Sequence, residues 1–169
     1  MRALTIALTL VACSSRAPAV QAPPSSPSPP AAEPTASPVA NVQAEVLAAD
    51  SPRTTVGGNR FVAPAGWSLA VRGPATILTP PEGDSKIALV DLPAATAEEA
   101  LAAAWKVFNP QAAWPLQVST KAPDAEGWTQ ITNHSYRTSP NEKRAVAAAT
   151  MFANGQWTVV VIDVALATA

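Results

Sequence analysis

Proline is spread unevenly along this chain, and the unevenness decides which part can fold. Nine of the 18 prolines precede Gly57. They cluster in Ala22-Pro23-Pro24-Ser25-Ser26-Pro27-Ser28-Pro29-Pro30, then in Glu33-Pro34 and Ser37-Pro38. Each proline fixes φ and removes a backbone donor. The alanines and serines between them bury too little apolar surface to offset chain entropy. Residues 13–53 are therefore expected to be a disordered tether sampling polyproline II. At about 3.1 Å per residue such an arm reaches on the order of 100 Å when stretched. Within it, Val42, Val46, Leu47 and Ala49 have the spacing of a marginal helical turn. Residues 54–169 remain for a single domain with one core.

Residues 1–12 read as a leader. Met1-Arg2 supplies a short positive start, and residues 3–10 form an apolar run too short to span a bilayer. Leu10-Val11-Ala12-Cys13 follows. This resembles the bacterial lipobox, with a branched apolar residue three before the cysteine and a small residue directly before it. The resemblance makes Cys13 the lipidation site and the new N-terminus, so the expected partner is a membrane, held through a lipid anchor. Each buried methylene contributes roughly 0.8 kcal/mol, so several acyl chains anchor firmly. Ser14 at the next position, by resemblance to lipoprotein sorting rules, favours the periplasmic face of the outer membrane over the inner membrane. Cys13 is the only cysteine, which excludes an internal disulfide.

The domain alternates between short β-rich runs and turn residues. Strands are expected at residues 60–62, 67–72, 75–79 and 86–92. The period then lengthens: Ala97, Ala100, Leu101, Ala104, Trp105 and Phe108 make one apolar helical stripe. Thr96 and Glu99 have capping-box spacing before it, and Asn109-Pro110 ends it. Four more strands are expected at residues 116–121, 128–137, 143–153 and 157–164. Asn154-Gly155 between the last two is a type I′ hairpin signal. The expectation is an α+β fold: an antiparallel sheet of about eight short strands in the order ββββ-α-ββββ, with one helix covering it. Residues 165–169 read as the first turn of a helix cut short, as in a C-terminally truncated domain.

The chemistry is sparse. A formal charge of −1 without clustered Lys or Arg points away from nucleic acid. His134 is the only histidine and reads as a half-exposed strand residue. Glu82-Gly83-Asp84 offers two carboxylates, which read as a solvated turn rather than a calcium site. Val56-Gly57-Gly58-Asn59 lacks the lysine and helix of a phosphate loop. The tryptophans at 67, 105, 114, 128 and 157 read as core or rim packing, with exposed sugar platforms as the rival. No catalytic, metal-binding or cofactor-binding residue is assigned.

Gly66-Trp67, the run Thr76-Ile77-Leu78-Thr79-Pro80-Pro81-Glu82-Gly83-Asp84-Ser85-Lys86, and Glu98-Glu99-Ala100 with Ala104-Trp105 resemble the N-terminal accessory region of some secreted serine hydrolases of the β-lactamase and penicillin-binding-protein-like superfamily. The element order also resembles the PsbP/Mog1-like fold. In that hydrolase superfamily the serine and lysine of Ser-x-x-Lys carry the chemistry. This chain has no Ser-x-x-Lys and no Lys-Thr-Gly, and Ser139-Pro140-Asn141 matches a third motif only in letters. The resemblance thus implies a non-catalytic accessory module, with the catalytic domain in a longer parent. The alternative is a free-standing envelope lipoprotein that binds a partner protein or peptidoglycan.

Overall fold

The computed structural model describes residues 44–166. The expected leader, Cys13 and most of the proline-rich segment lie outside them, as do residues 167–169. The described chain holds ten strands and one α-helix: β1 (Glu45–Val46), β2 (Ser51–Thr54), β3 (Arg60–Ala63), β4 (Ser68–Arg72), β5 (Ala75–Thr79), β6 (Lys86–Leu92), α1 (Ala97–Phe108), β7 (Leu116–Lys121), β8 (Thr129–Tyr136), β9 (Arg144–Ala153) and β10 (Gln156–Ala165). A 3-10 turn, Pro140–Glu142, links β8 to β9.

Eight strands form one sheet in the order β1-β4-β5-β6-β10-β9-β8-β7, and β2 and β3 form a separate ribbon. Every pairing is antiparallel. The α+β class and the antiparallel meander after the helix match the sequence reading. Other points of that expectation need correction. The strand count is ten. The strand at 60–63 leaves the main sheet to pair with β2. The stretch around Val46, read as a helical turn, is strand β1 on β4, so regular structure starts within the segment assigned to the tether. Leu47 explains why: it is buried with Ala63 and Leu78, and an apolar anchor of that kind ties nearby backbone to the sheet. At the far end, Ala165 closes β10 instead of opening a helix.

The two faces of the sheet are built differently. On one, Ala88 and Val90 of β6, Ala148 of β9, and Trp157, Val159 and Val161 of β10 meet Ala100, Ala104 and Phe108 of α1. Alanine on both surfaces lets the helix backbone come close, and Trp157 and Phe108 fill the remaining space. The helix packs on β10, β6 and β9. It is therefore a partial cover, not the full cover expected, and it leaves β7 and β8 open beside it. Thr96 Oγ1 accepts the Glu99 N–H at 3.2 Å, as the capping spacing predicts, while the Glu99 carboxylate accepts from Ala95 N–H instead of closing the box on Thr96. At the other end Arg72 donates to the carbonyls of Val107 and Phe108, satisfying two orphan acceptors.

The opposite face carries the ribbon and a polar latch. Asp91 accepts from Gly57 N–H at 2.7 Å, from Thr158 Oγ1 at 2.6 Å and from Asn59 Nδ2 at 3.3 Å. Gln156 in turn donates to the Gly57 carbonyl. A Cβ on Gly57 would lie 2.7 Å from Asp91 Cγ and collide with Gln156, so only glycine allows this approach. Gly57 is thus part of a structural clasp, and Gly58, with φ of 86°, turns the chain toward Asn59. Asn154 and Gly155 have φ of 52° and 78°, as a type I′ turn requires.

Candidate functional site

Because α1 stops short of the outer strands, a trough runs between its flank and the helix-side face of β7 and β8. The helical stripe expected from sequence splits in two. Ala100, Ala104 and Phe108 are buried beneath the helix, whereas Leu101 and Trp105 pack on the edge of that core, half-buried, and also form one wall of the trough. The floor comes from alternate residues of β8, Thr132, His134 and Tyr136, and the far wall from Leu116, Ser119 and Lys121 of β7. A register irregularity between Leu116 and Val118 brings Leu116 onto this side. This apolar end encloses about 540 Å³.

A second cavity of about 380 Å³ continues it past the helix start, over Asp124, Gln130, Ile131 and Trp157. The two share Glu98, Lys121 and Thr132, so they form one trough with an aromatic end and a polar end. Gln130 sits at a bulge with φ of 53°, held by its N–H to Asp124 Oδ1 at 3.1 Å.

His134 is buried at 8 % exposure, which corrects the half-exposed reading. The even-numbered positions of β8 face the helix side, and the imidazole fits there because two hydroxyls meet it. Nδ1 lies 2.9 Å from Ser119 Oγ, on the strand paired with it, and Nε2 lies 3.3 Å from Thr150 Oγ1. Burial lowers its pKa below the usual histidine range, and the nearby Glu98 carboxylate opposes this. Tyr136 is shifted upward by burial, with the Trp105 hydrogen bond opposing. That bond, Trp105 Nε1 to Tyr136 Oη at 2.8 Å, fixes both rings.

Chemically, the Ser119–His134 pair has the spacing of a nucleophile and base. Among the described residues neither ring nitrogen is hydrogen-bonded to a carboxylate; the Thr150 hydroxyl holds the nitrogen opposite Ser119, where a Ser-His-Asp triad has an acid. Among the described residues no three His, Cys, Asp or Glu side chains gather as a metal site. Asp84, one half of the two-carboxylate turn, instead gives its backbone carbonyl to Arg144 at 3.0 Å.

Of the tryptophans, Trp157 is core. Trp105 packs edge-on against Phe108 and Tyr136 and tilted against Trp114. Trp105 does pack against the core, as expected, and it also lines the trough, whose other members Ser119, Thr132 and Tyr136 carry no sequence expectation. The available signal was polar residues at every second position of a strand whose neighbours on that face are apolar.

No family model matches the chain, and no curated protein matches it. The fold is similar to the solution structure of cyanobacterial PsbP (CyanoP) from Synechocystis sp. PCC 6803, with a TM-score of 0.52 and 16% identity over 70% of this chain and 82% of that one. At that identity the likeness concerns fold alone. It agrees with the PsbP-like element order read from sequence.

Proposed function

We propose that this chain is a lipid-anchored, non-catalytic module of the bacterial cell envelope, held by Cys13 and presented by its proline-rich arm. The observation that carries this reading is Leu10-Val11-Ala12-Cys13 standing directly behind an apolar leader. Placement on the periplasmic face of the outer membrane follows from Ser14. In this reading the module is the N-terminal accessory region of a β-lactamase-like serine hydrolase whose catalytic domain lies in a longer parent. Genomic sequence downstream encoding Ser-x-x-Lys supports that role, and unrelated sequence removes it. The chain itself should not hydrolyse nitrocefin or simple esters.

Anchoring is tested by metabolic labelling with an alkyne fatty acid and by the mass of the mature chain. The expected result is an acylated Cys13 at the N-terminus and loss of label in Cys13→Ser. An unmodified thiol or a retained leader overturns the anchor.

The trough favours a second reading, in which the module stands alone and binds an envelope protein or cell-wall glycan. A concave, mostly apolar surface with a few converging polar groups is the usual form of a ligand site. Pull-down from envelope extract against a Leu101→Lys variant tests it: a partner lost with that change supports the reading, and unchanged capture opposes it.

A further inference from the structure

The charges of the trough are unbalanced beside its apolar wall. Two carboxylates, Glu98 and Asp124, and one ammonium, Lys121, line the joined cavities. Among the described residues the ion pairs are Arg53–Glu45 and Arg144–Asp163, so Glu98 and Lys121 border the same space without joining each other. Glu98 lies on the helix flank that also presents Leu101, Ala102 and Trp105. One turn, about 5.4 Å, separates it from Leu101 and Ala102. That step is comparable to the distance between the α-ammonium of a residue and its own large side chain.

We infer that the trough binds the amino terminus of an apolar peptide, taking the α-ammonium at Glu98 and laying the first side chain against the wall made by Leu101, Trp105 and Tyr136. The inference rests on the trough being the recognition surface, and it selects a protein over a glycan as the partner. Ser119, whose hydroxyl also meets His134 Nδ1, lines with Thr132 and Lys121 the space where the peptide carbonyls follow.

Other chemistries fit less well. A phosphate or fatty-acid carboxylate meets two carboxylates and one ammonium. A sugar ring needs an open aromatic platform, and Trp105 is hemmed by Phe108, Trp114 and Tyr136.

The test is a nuclear magnetic resonance titration of the full ¹⁵N-labelled chain with Phe-Ala-Ala amide, acetyl-Phe-Ala-Ala amide, chitobiose and decanoate. The free-amine peptide is expected to shift the amides of residues 98–105 and 119–136, with a dissociation constant on the order of 1 mM. N-acetylation, or Glu98→Lys, should weaken it at least about tenfold. Glu98 is exposed, so an otherwise unchanged spectrum confirms that this variant folds. Equal binding of the acetylated peptide, or indifference to Glu98→Lys, overturns the assignment. Chitobiose or decanoate shifting the same amides without the peptide also overturns it, while sparing the trough as a recognition surface. No response at these amides to any of the four overturns both.

Discussion

Strands β10 and β7 belong to one sheet and face opposite demands. β10 lies between β6 and β9, with the helix on one face and the Asp91–Thr158 latch on the other. Its run Trp157-Thr158-Val159-Val160-Val161 is correspondingly apolar, and Val159 and Val161 are fully buried. β7 pairs on one edge only, and all six of its residues are exposed, Leu116 at 53% and Val118 at 51%. Residue type alone does not produce this contrast, since valine occurs in both strands. Position in the sheet produces it, together with a helix too narrow to reach the outer strands. Fold stability is concentrated in the centre, and the outer strands are left to form a surface.

Substitutions that act on the two regions test that division. Trp157→Ala empties the space between sheet and helix and removes the edge-to-face contact with Phe152. It should cost about 3–5 kcal/mol, read from urea unfolding. A loss no larger than that of a surface change would break the contrast at its strongest point. Asp91→Ala leaves the Gly57 N–H, Asn59 amide and Thr158 hydroxyl without their acceptor. It should cost about 3 kcal/mol in the same experiment, because bonds to a charged acceptor are the stronger kind.

His134 sharpens the comparison through pH. Its folded pKa is lowered by burial, with Glu98 opposing, so the unfolded imidazole takes up its proton first as pH falls. The histidine contribution is full above the unfolded value near 6.5, falls as pH drops below it, and levels off beneath the folded pKa. His134→Gln should flatten that part of the stability–pH curve relative to the natural chain. A parallel slope in both would show that the imidazole is not held neutral. The smallest effect belongs to the edge: Val118→Thr should stay within about 0.5 kcal/mol.

Much of the centre was legible from sequence. The helix ends were marked by Thr96 and Asn109-Pro110, and the last hairpin by Asn154-Gly155, because caps and turns are decided locally. What escaped depended on partners distant in the chain. The strand at Glu45–Val46 exists because Leu47 finds Ala63 and Leu78, which no local window reveals beneath a proline-rich composition. The ribbon escaped for a different reason: its partner strand, Ser51–Thr54, lies in the stretch whose composition reads as tether. The trough escaped because Leu101 and Trp105 share a helical stripe with Ala100 and Ala104. Periodicity gives the stripe but not how much of it the sheet is wide enough to cover. His134 looked half-exposed because its hydroxyl partners, Ser119 and Thr150, come from two other strands.

Native-state hydrogen exchange on the full chain measures the division directly. The amides of β10 that bond to β6 and β9 should exchange only on global unfolding. The amides of β7 that bond to β8 should exchange through a smaller local opening, with less sensitivity to denaturant. Equal opening free energies in β7 and β10, with equal denaturant dependence, would contradict a centre that carries the fold and an outer surface free to bind.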